Sequence, residues 1–243
     1  MRPAQLLAAS ALALSANAYA ASFDSLDLYY TSADLDVKGR ASSDAGPVDY
    51  NADLDGLDGF GVKFRGSVAE DFFFAGEFQR AEAEQLGLTL TDPDSGASID
   101  GGSNADLSYK EWRLGIGVPF YHARSLTLYG VVEYVNTELK TAFDTTDPDT
   151  GATTSNRSEQ KQDGGGAHAG ALFNPTKAWS LYGQVGYLRL DELDGIEYLA
   201  GTALQVHRYG GLFAEYRNSD LEGDGGSKVE LTPWRFGVYL LVQ

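Results

Sequence analysis

The stretch Trp112-Arg113-Leu114-Gly115-Ile116-Gly117-Val118-Pro119-Phe120 decides the fold. Every second residue, from Trp112 through Leu114, Ile116 and Val118 to Phe120, is large and apolar, while Arg113, Gly115 and Gly117 between them are charged or small. Successive side chains of an extended chain point to opposite faces, so this segment has one greasy and one wet face. Glu111 continues the wet face. The same period recurs in Phe60, Val62, Phe64 and Val68 against Gly61, Lys63, Arg65 and Ser67, and in Leu126, Leu128, Val132 and Tyr134 against Thr127, Tyr129 and Glu133. It returns in Trp179, Leu181, Val185 and Tyr187 against Ser180, Tyr182 and Gln184, and in Trp234, Phe236, Val238, Leu240 and Val242 against Arg235 and Gly237.

Working outward and adding weaker runs gives strands near 25–37, 58–68, 71–82, 107–119, 124–138, 163–173, 178–190, 194–206, 208–218 and 228–242. The expectation is an all-β, antiparallel up-and-down barrel of ten strands, or of eight if two weaker runs are loops. Three observations separate a membrane barrel from a water-soluble one. The clearest apolar stripes each cover nine residues, as in Phe60 to Val68 or Trp234 to Val242; a tilted membrane strand needs about 9 to 11. Aromatic residues stand at both stripe ends: Phe72, Phe74, Phe120, Phe173 and Trp179 at one, Phe60, Trp112, Tyr134, Tyr187 and Trp234 at the other. These match interfacial girdles. Finally, short connections (69–70, 119–125, 174–177, the region of His207) alternate with longer ones (38–57, 83–106, 139–162, 218–227 and the shorter 190–194). Gly76, Gly130 and Gly183 lie midway along outward stripes, where lipid tails can fill the dents.

With 243 residues and no linker, the chain reads as one domain. It has no Cys, which excludes disulfides and thiolate metal sites, and a net charge of −17, which argues against nucleic-acid partners. The first twenty residues read as a cleaved secretory signal: Arg2, an apolar run from Leu6 to Leu14, and the Ala18-Tyr19-Ala20 cleavage site. Domains are thus expected as a signal at 1–20 and a barrel at 21–243.

On the pieces Gly61-Val62-Lys63-Phe64-Arg65-Gly66-Ser67-Val68, Trp112-Arg113-Leu114-Gly115-Ile116-Gly117-Val118 and Trp234-Arg235-Phe236-Gly237-Val238, the chain resembles the small Gram-negative outer-membrane β-barrel family, the porin-like group with OmpA-type barrels and the xanthomonad-like small outer-membrane proteins. The resemblance covers nearly the whole mature chain. It implies an outer-membrane location, lipid as the surrounding partner, and the barrel-assembly machinery as the partner during insertion. Members end on an aromatic residue that this machinery reads, whereas this chain ends Leu240-Leu241-Val242-Gln243.

Inward positions carry Lys63, Arg65, Arg113, Arg217 and Arg235 against Glu77, Glu111, Glu133, Glu197 and Glu215, five of each sign. In so narrow a barrel this points to a salt-bridged lumen more than to an open channel. His122 and His207 fall in turns and His168 within a strand, and no Gly-x-Ser-x-Gly motif occurs. Two phrases, Thr91-Asp92-Pro93-Asp94-Ser95-Gly96-Ala97 and Thr146-Asp147-Pro148-Asp149-Thr150-Gly151-Ala152, pair carboxylates as a calcium loop does. They also read as tight turns, the stronger reading for Asp92, Asp94, Asp147 and Asp149. The expected function is non-catalytic and cofactor-free: a structural or surface-interaction role, or slow passage of small solutes. The alternatives are a narrow porin or hydrophobic-molecule channel, and a rim-located hydrolase.

Overall fold

The computed structural model describes residues 24–43, 46–69, 72–91, 98–146, 153–223 and 226–242. Ten strands follow one another: β1 (Ser25–Ser43), β2 (Gly46–Ala69), β3 (Phe72–Thr91), β4 (Ser98–His122), β5 (Leu126–Thr146), β6 (Thr153–Phe173), β7 (Trp179–Leu190), β8 (Leu193–His207), β9 (Gly210–Gly223) and β10 (Lys228–Leu241). Each pairs antiparallel with its neighbours in sequence, and β1 pairs with β10 to close the barrel. The eight-stranded alternative is thereby excluded.

The register fixes the shape. Leu26 of β1 pairs with Phe64, and the ladder continues through Gly76, Leu114, Tyr134, Gly165, Arg189, Asp194, Glu222 and Lys228. It re-enters β1 at Lys38, a stagger of 12 residues from Leu26. At about 3.3 Å per residue and about 4.8 Å per strand, that stagger tilts the strands by about 40° and gives a radius of about 10 Å. Closure leaves no sheet edge, so every backbone polar group of the wall finds a partner without water.

The outer surface explains the alternation. Leu26, Leu28, Phe64, Leu114, Ile116, Val132, Val185, Leu212, Phe236 and Val238 are large, apolar and exposed, and together they form a continuous belt. A soluble protein rarely exposes so large an apolar surface; a barrel in hydrocarbon requires it.

Above the belt the pattern inverts. In β1 the outward apolar set Leu26, Leu28 and Tyr30 gives way to inward Ala33 and Leu35, while the outward positions become Asp34 and Asp36. In β4 outward Trp112 gives way to inward Tyr109 and Leu107, with Lys110 outside. The wall has left the lipid, so its outside is polar and its inside is packed as in a soluble protein.

This inversion corrects the expected long connections. The described parts of 38–57, 83–106 and 139–162 continue the strands, so β1 to β6 are 19 to 25 residues long. By contrast β7 to β10 have 12 to 15 residues, and one half of the wall stands taller. A bulge helps the switch on β2: between the Ala33 to Leu57 and Leu35 to Leu54 pairs it carries one extra residue, and Gly56 takes φ 77°. Left-handed backbone costs glycine little, and the bulge lets Leu54 and Leu57 both face inward.

Candidate functional site

The lumen is stacked in three layers. Nearest the short turns lie aromatic and aliphatic side chains, with Tyr29, Ala203, Phe213 and Tyr239 in one cluster and Phe73, Tyr129, Val131 and Leu172 in the other. Their rings need room, and cross-strand glycines supply it. Tyr29 faces Gly61, Phe73 faces Gly117, Tyr129 faces Gly170 and Tyr182 faces Gly201. A Cβ at any of these four glycines would lie within 2.1 to 2.4 Å of the facing ring. Outside, the Phe64 ring covers Gly76 in the same way, so that dent is filled by protein rather than lipid.

The middle layer is ionic. Arg113 reaches across from β4 to Glu197 of β8 through two bonds of 2.7 Å, and it also holds Glu133 at 2.8 Å and Glu111 at 3.0 Å. Arg217 of β9 crosses to Glu77 of β3 at 2.8 Å and to Glu111 at 3.3 Å. Arg235 donates to Glu215 at 2.8 Å and to Gln79 at 2.8 Å. Lys63 of β2 reaches Glu215 at 2.6 Å, with its ammonium 5.3 Å from the Tyr29 ring and 5.1 Å from that of Phe213. Tyr29 donates to Glu77 at 2.6 Å, linking the layers. Below the network Arg65 pairs with Asp27 at 2.9 Å.

These charges are buried, Arg235 and Glu197 completely. Taking ions out of water is costly unless each finds counter-ions in good geometry, which the two-bond Arg113–Glu197 pair and the several further pairs of the network provide. The space left among them is a cavity of ≈ 90 Å³, room for a few water molecules.

The third layer is apolar again: Leu35, Leu54, Leu57, Leu107 and Tyr109 in one cluster, Val135, Leu188, Leu190 and Leu221 in another. Tyr109 ties this roof to the network, its hydroxyl donating to Glu111 at 2.7 Å.

Sequence reasoning had missed Asp27, Tyr29, Gln79 and Tyr182 as network members. Asp27 and Tyr29 alternate with Leu26, Leu28 and Tyr30, so the parity rule finds them when carried into β1. His168 lies in the lumen, its Nε2 3.1 Å from Glu133 Oε1. With Glu133 and Glu197 it offers ligand atoms within 4.8 Å of one another. Arg113 already occupies the space between those carboxylates, so a guanidinium stands where a metal ion would. His122 and His207 end β4 and β8 at the short-turn rim, where His122 pairs with Thr127 at 2.8 Å. The phrases with Asp92, Asp94, Asp147 and Asp149 lie outside the described residues.

The ten girdle candidates, Phe60, Phe72, Phe74, Trp112, Phe120, Tyr134, Phe173, Trp179, Tyr187 and Trp234, are all exposed on the outer wall. Tyr30, Tyr198 and Tyr216 join the upper ring, with Tyr216 packed 4.8 Å from Trp234 and Trp112 5.1 Å from Tyr134.

Further up the outer wall, Glu138 is held by Lys140 at 2.8 Å and Lys110 at 3.3 Å, and Lys161 by Glu159 at 2.7 Å. The hydrogen bond from Lys140, supported by Lys110, lowers the Glu138 carboxyl from its ordinary 4.5 to about 2.

A closed ten-stranded antiparallel barrel with an apolar outer belt and a polar lumen has the fold of Gram-negative outer-membrane β-barrels. The outer membrane protease OmpT from Escherichia coli is similar to it, with a TM-score of 0.64 at 8% identity over 90% of this chain and 96% of that one. Weaker likenesses join it to OprG from Pseudomonas aeruginosa, TM-score 0.44 at 13% identity over 93% and 99% of the two chains. Ail, the attachment invasion locus protein of Yersinia pestis, gives 0.38 at 14% identity over 89% and 97%. No protein-family model matches the chain, and no curated protein matches it. At such identities the likeness to OmpT speaks for the fold alone.

Proposed function

We propose that the protein is a non-catalytic barrel of the bacterial outer membrane, sealed at its centre, whose task is to hold a tall, acidic wall at the cell surface. One observation carries this reading: Arg113 and Arg217 span the lumen from opposite walls, and their ion pairs lie between two apolar layers. A solute passing through would have to break several buried ion pairs at once, each strongly disfavoured. A hydrolase reading finds little support. His168 is buried among these pairs, and its ring bonds to Glu133, which Arg113 already holds; no nucleophile and substrate could meet it there.

The reading includes export by the leader at 1–20, insertion by the barrel-assembly machinery, and an orientation with both termini in the periplasm. Its test is conductance in planar bilayers. The unaltered protein should give no stable unitary steps, whereas Arg113→Ser combined with Arg217→Ser, which shortens both crossing side chains, should give them. Regular steps from the unaltered protein would replace this reading with that of a narrow porin.

A further inference from the structure

Above the sealed centre, the upper end of the barrel holds a cavity of ≈ 360 Å³ lined from both the tall and the short half of the wall. Its lower wall is the inward apolar set above the belt, including Leu35, Leu54, Leu107 and Leu139, and its far side is polar, with Gln160 and Glu192. Its lining is unlike that of the lumen below. There, charges neutralise one another in buried pairs; here, among the described residues, Glu192 alone of the lining residues is charged. The barrel at this level has left the lipid, its outer face carrying Asp34, Asp36, Lys110 and Glu138; within the apolar lining Leu35, Leu54 and Leu107 pack against one another, and Val37, Leu139, Leu193 and Val229 stay half-buried.

We infer that this cup is a binding site for a small amphiphile with an apolar body and a hydrogen-bond-donating, preferably cationic head. Three features select that class. The volume is more than twice the ~150 Å³ of an apolar cavity that accepts benzene, so a ring with a short chain fits. The half-buried Val37, Leu139, Leu193 and Val229 of the lining reward burial of an apolar body at about 25 cal/mol per Å² removed from water. The backbone N–H of Glu192 donates to Gln162 Oε1 at 3.0 Å and Gln162 Nε2 donates to the Glu192 carboxylate at 3.4 Å, which leaves that exposed carboxylate with acceptor capacity at the rim; it accepts a donor head and repels a carboxylate. The net charge of −17 acts in the same direction at longer range. The inference goes beyond the sealed-barrel reading, because binding in the cup holds whether or not solutes cross the layer beneath.

The probes are phenethylamine, phenethyl alcohol and phenylacetate, which share a ring and differ in the head. The protein is placed in lipid nanodiscs with its leucine methyl groups carbon-13 labelled, and methyl shifts are followed by NMR. Phenethylamine should move the methyls of Leu54, Leu107 and Leu139 saturably, the alcohol should bind about tenfold more weakly, and phenylacetate should leave them in place. Leu28, Leu114 and Leu212 face lipid and report simple partitioning into the bilayer. Glu192→Gln should remove the preference for the amine over the alcohol while leaving alcohol binding intact, and Leu107→Trp, which fills the cup, should abolish both. Equal shifts for all three probes, shifts confined to the lipid-facing leucines, or no shift because the chain's own outer turns fill the cup would each overturn the proposal. Conductance does not enter any of these readouts, so failure here leaves the sealed-barrel reading standing.

Discussion

Arg113 shows how much one residue can carry. Its guanidinium meets Glu111, Glu133 and Glu197 inside the wall, so Arg113→Ala leaves three buried carboxylates short of their counter-ion. Removing one partner of a buried ion pair costs about 3–5 kcal/mol. Urea unfolding of the protein in lipid vesicles should show a loss of that size, with the folded form's faster migration in unboiled gel samples disappearing at a lower temperature. A loss under 1 kcal/mol would mean that water already solvates the network. Lipid-free chemistry higher on the wall gives a second test. Lys140, followed by Lys110, holds the Glu138 carboxyl down to about 2. A depressed folded value contributes stability above pH 4.5 that is lost as the pH falls through about 2. The carbon-13 shift of the Glu138 carboxyl should therefore titrate near 2, and Lys140→Met should raise the midpoint toward 4.5; a midpoint at 4.5 in the unaltered protein would remove the ion pair. The charged members of the network were legible from parity alone, because Arg113 must point away from Trp112 and Leu114. Their partners were not: that Arg113 meets Glu197, 84 positions away, depends on the stagger of the closed barrel, which no local pattern records.

At the scale of a strand, what was legible was the part that lies in lipid. The lower ends of the expected strands fall within a few residues of the observed ones, since Leu126, Phe173 and Trp179 lie where apolar stripe meets polar turn. The upper ends of β1 to β6 were placed too low, by 12 residues for β2, which was expected from 58 and begins at Gly46, because the alternation does not stop at the membrane surface but changes face. Around Leu54, Leu57 and Asp58 the two apolar parities overlap across a bulge, and the eye reads the interference as loop. Once the inversion is known, it predicts opposite outcomes for neighbouring residues. Leu57 is fully buried inside and Phe60 is 75 % exposed outside. Leu57→Asp should loosen only the upper wall: amide hydrogen exchange should speed up at least tenfold in the outer ends of β1 to β4 while the amides beside Leu28 and Leu114 stay protected. Phe60→Asp should leave the upper wall protected and instead lower the yield of inserted barrel, since a carboxylate there meets the membrane interface. Identical exchange patterns for the two variants would mean that the boundary does not run between them.

The whole molecule is asymmetric along its axis and around it. Short turns and both described ends lie at one rim, while β1 to β6 rise well above the belt at the other and carry Lys110, Glu138, Lys140, Glu159 and Lys161 on their outer face. A barrel is inserted from the periplasm, so the tall rim, whose hairpins must be carried through the bilayer, is the costly one to translocate and has no reason to exist unless it serves outside. The proposed orientation rests on that argument, and the absence of Cys makes it directly testable. Lys161→Cys places a thiol on the exposed face of the tall wall, and Lys177→Cys one in the exposed turn between β6 and β7. A maleimide too large to pass the outer membrane should label the first in intact cells and the second only after the membrane is permeabilised. The reverse order would turn the barrel over, set the leucine cup toward the periplasm, and replace a surface-presenting wall with one that receives its ligand from inside the envelope.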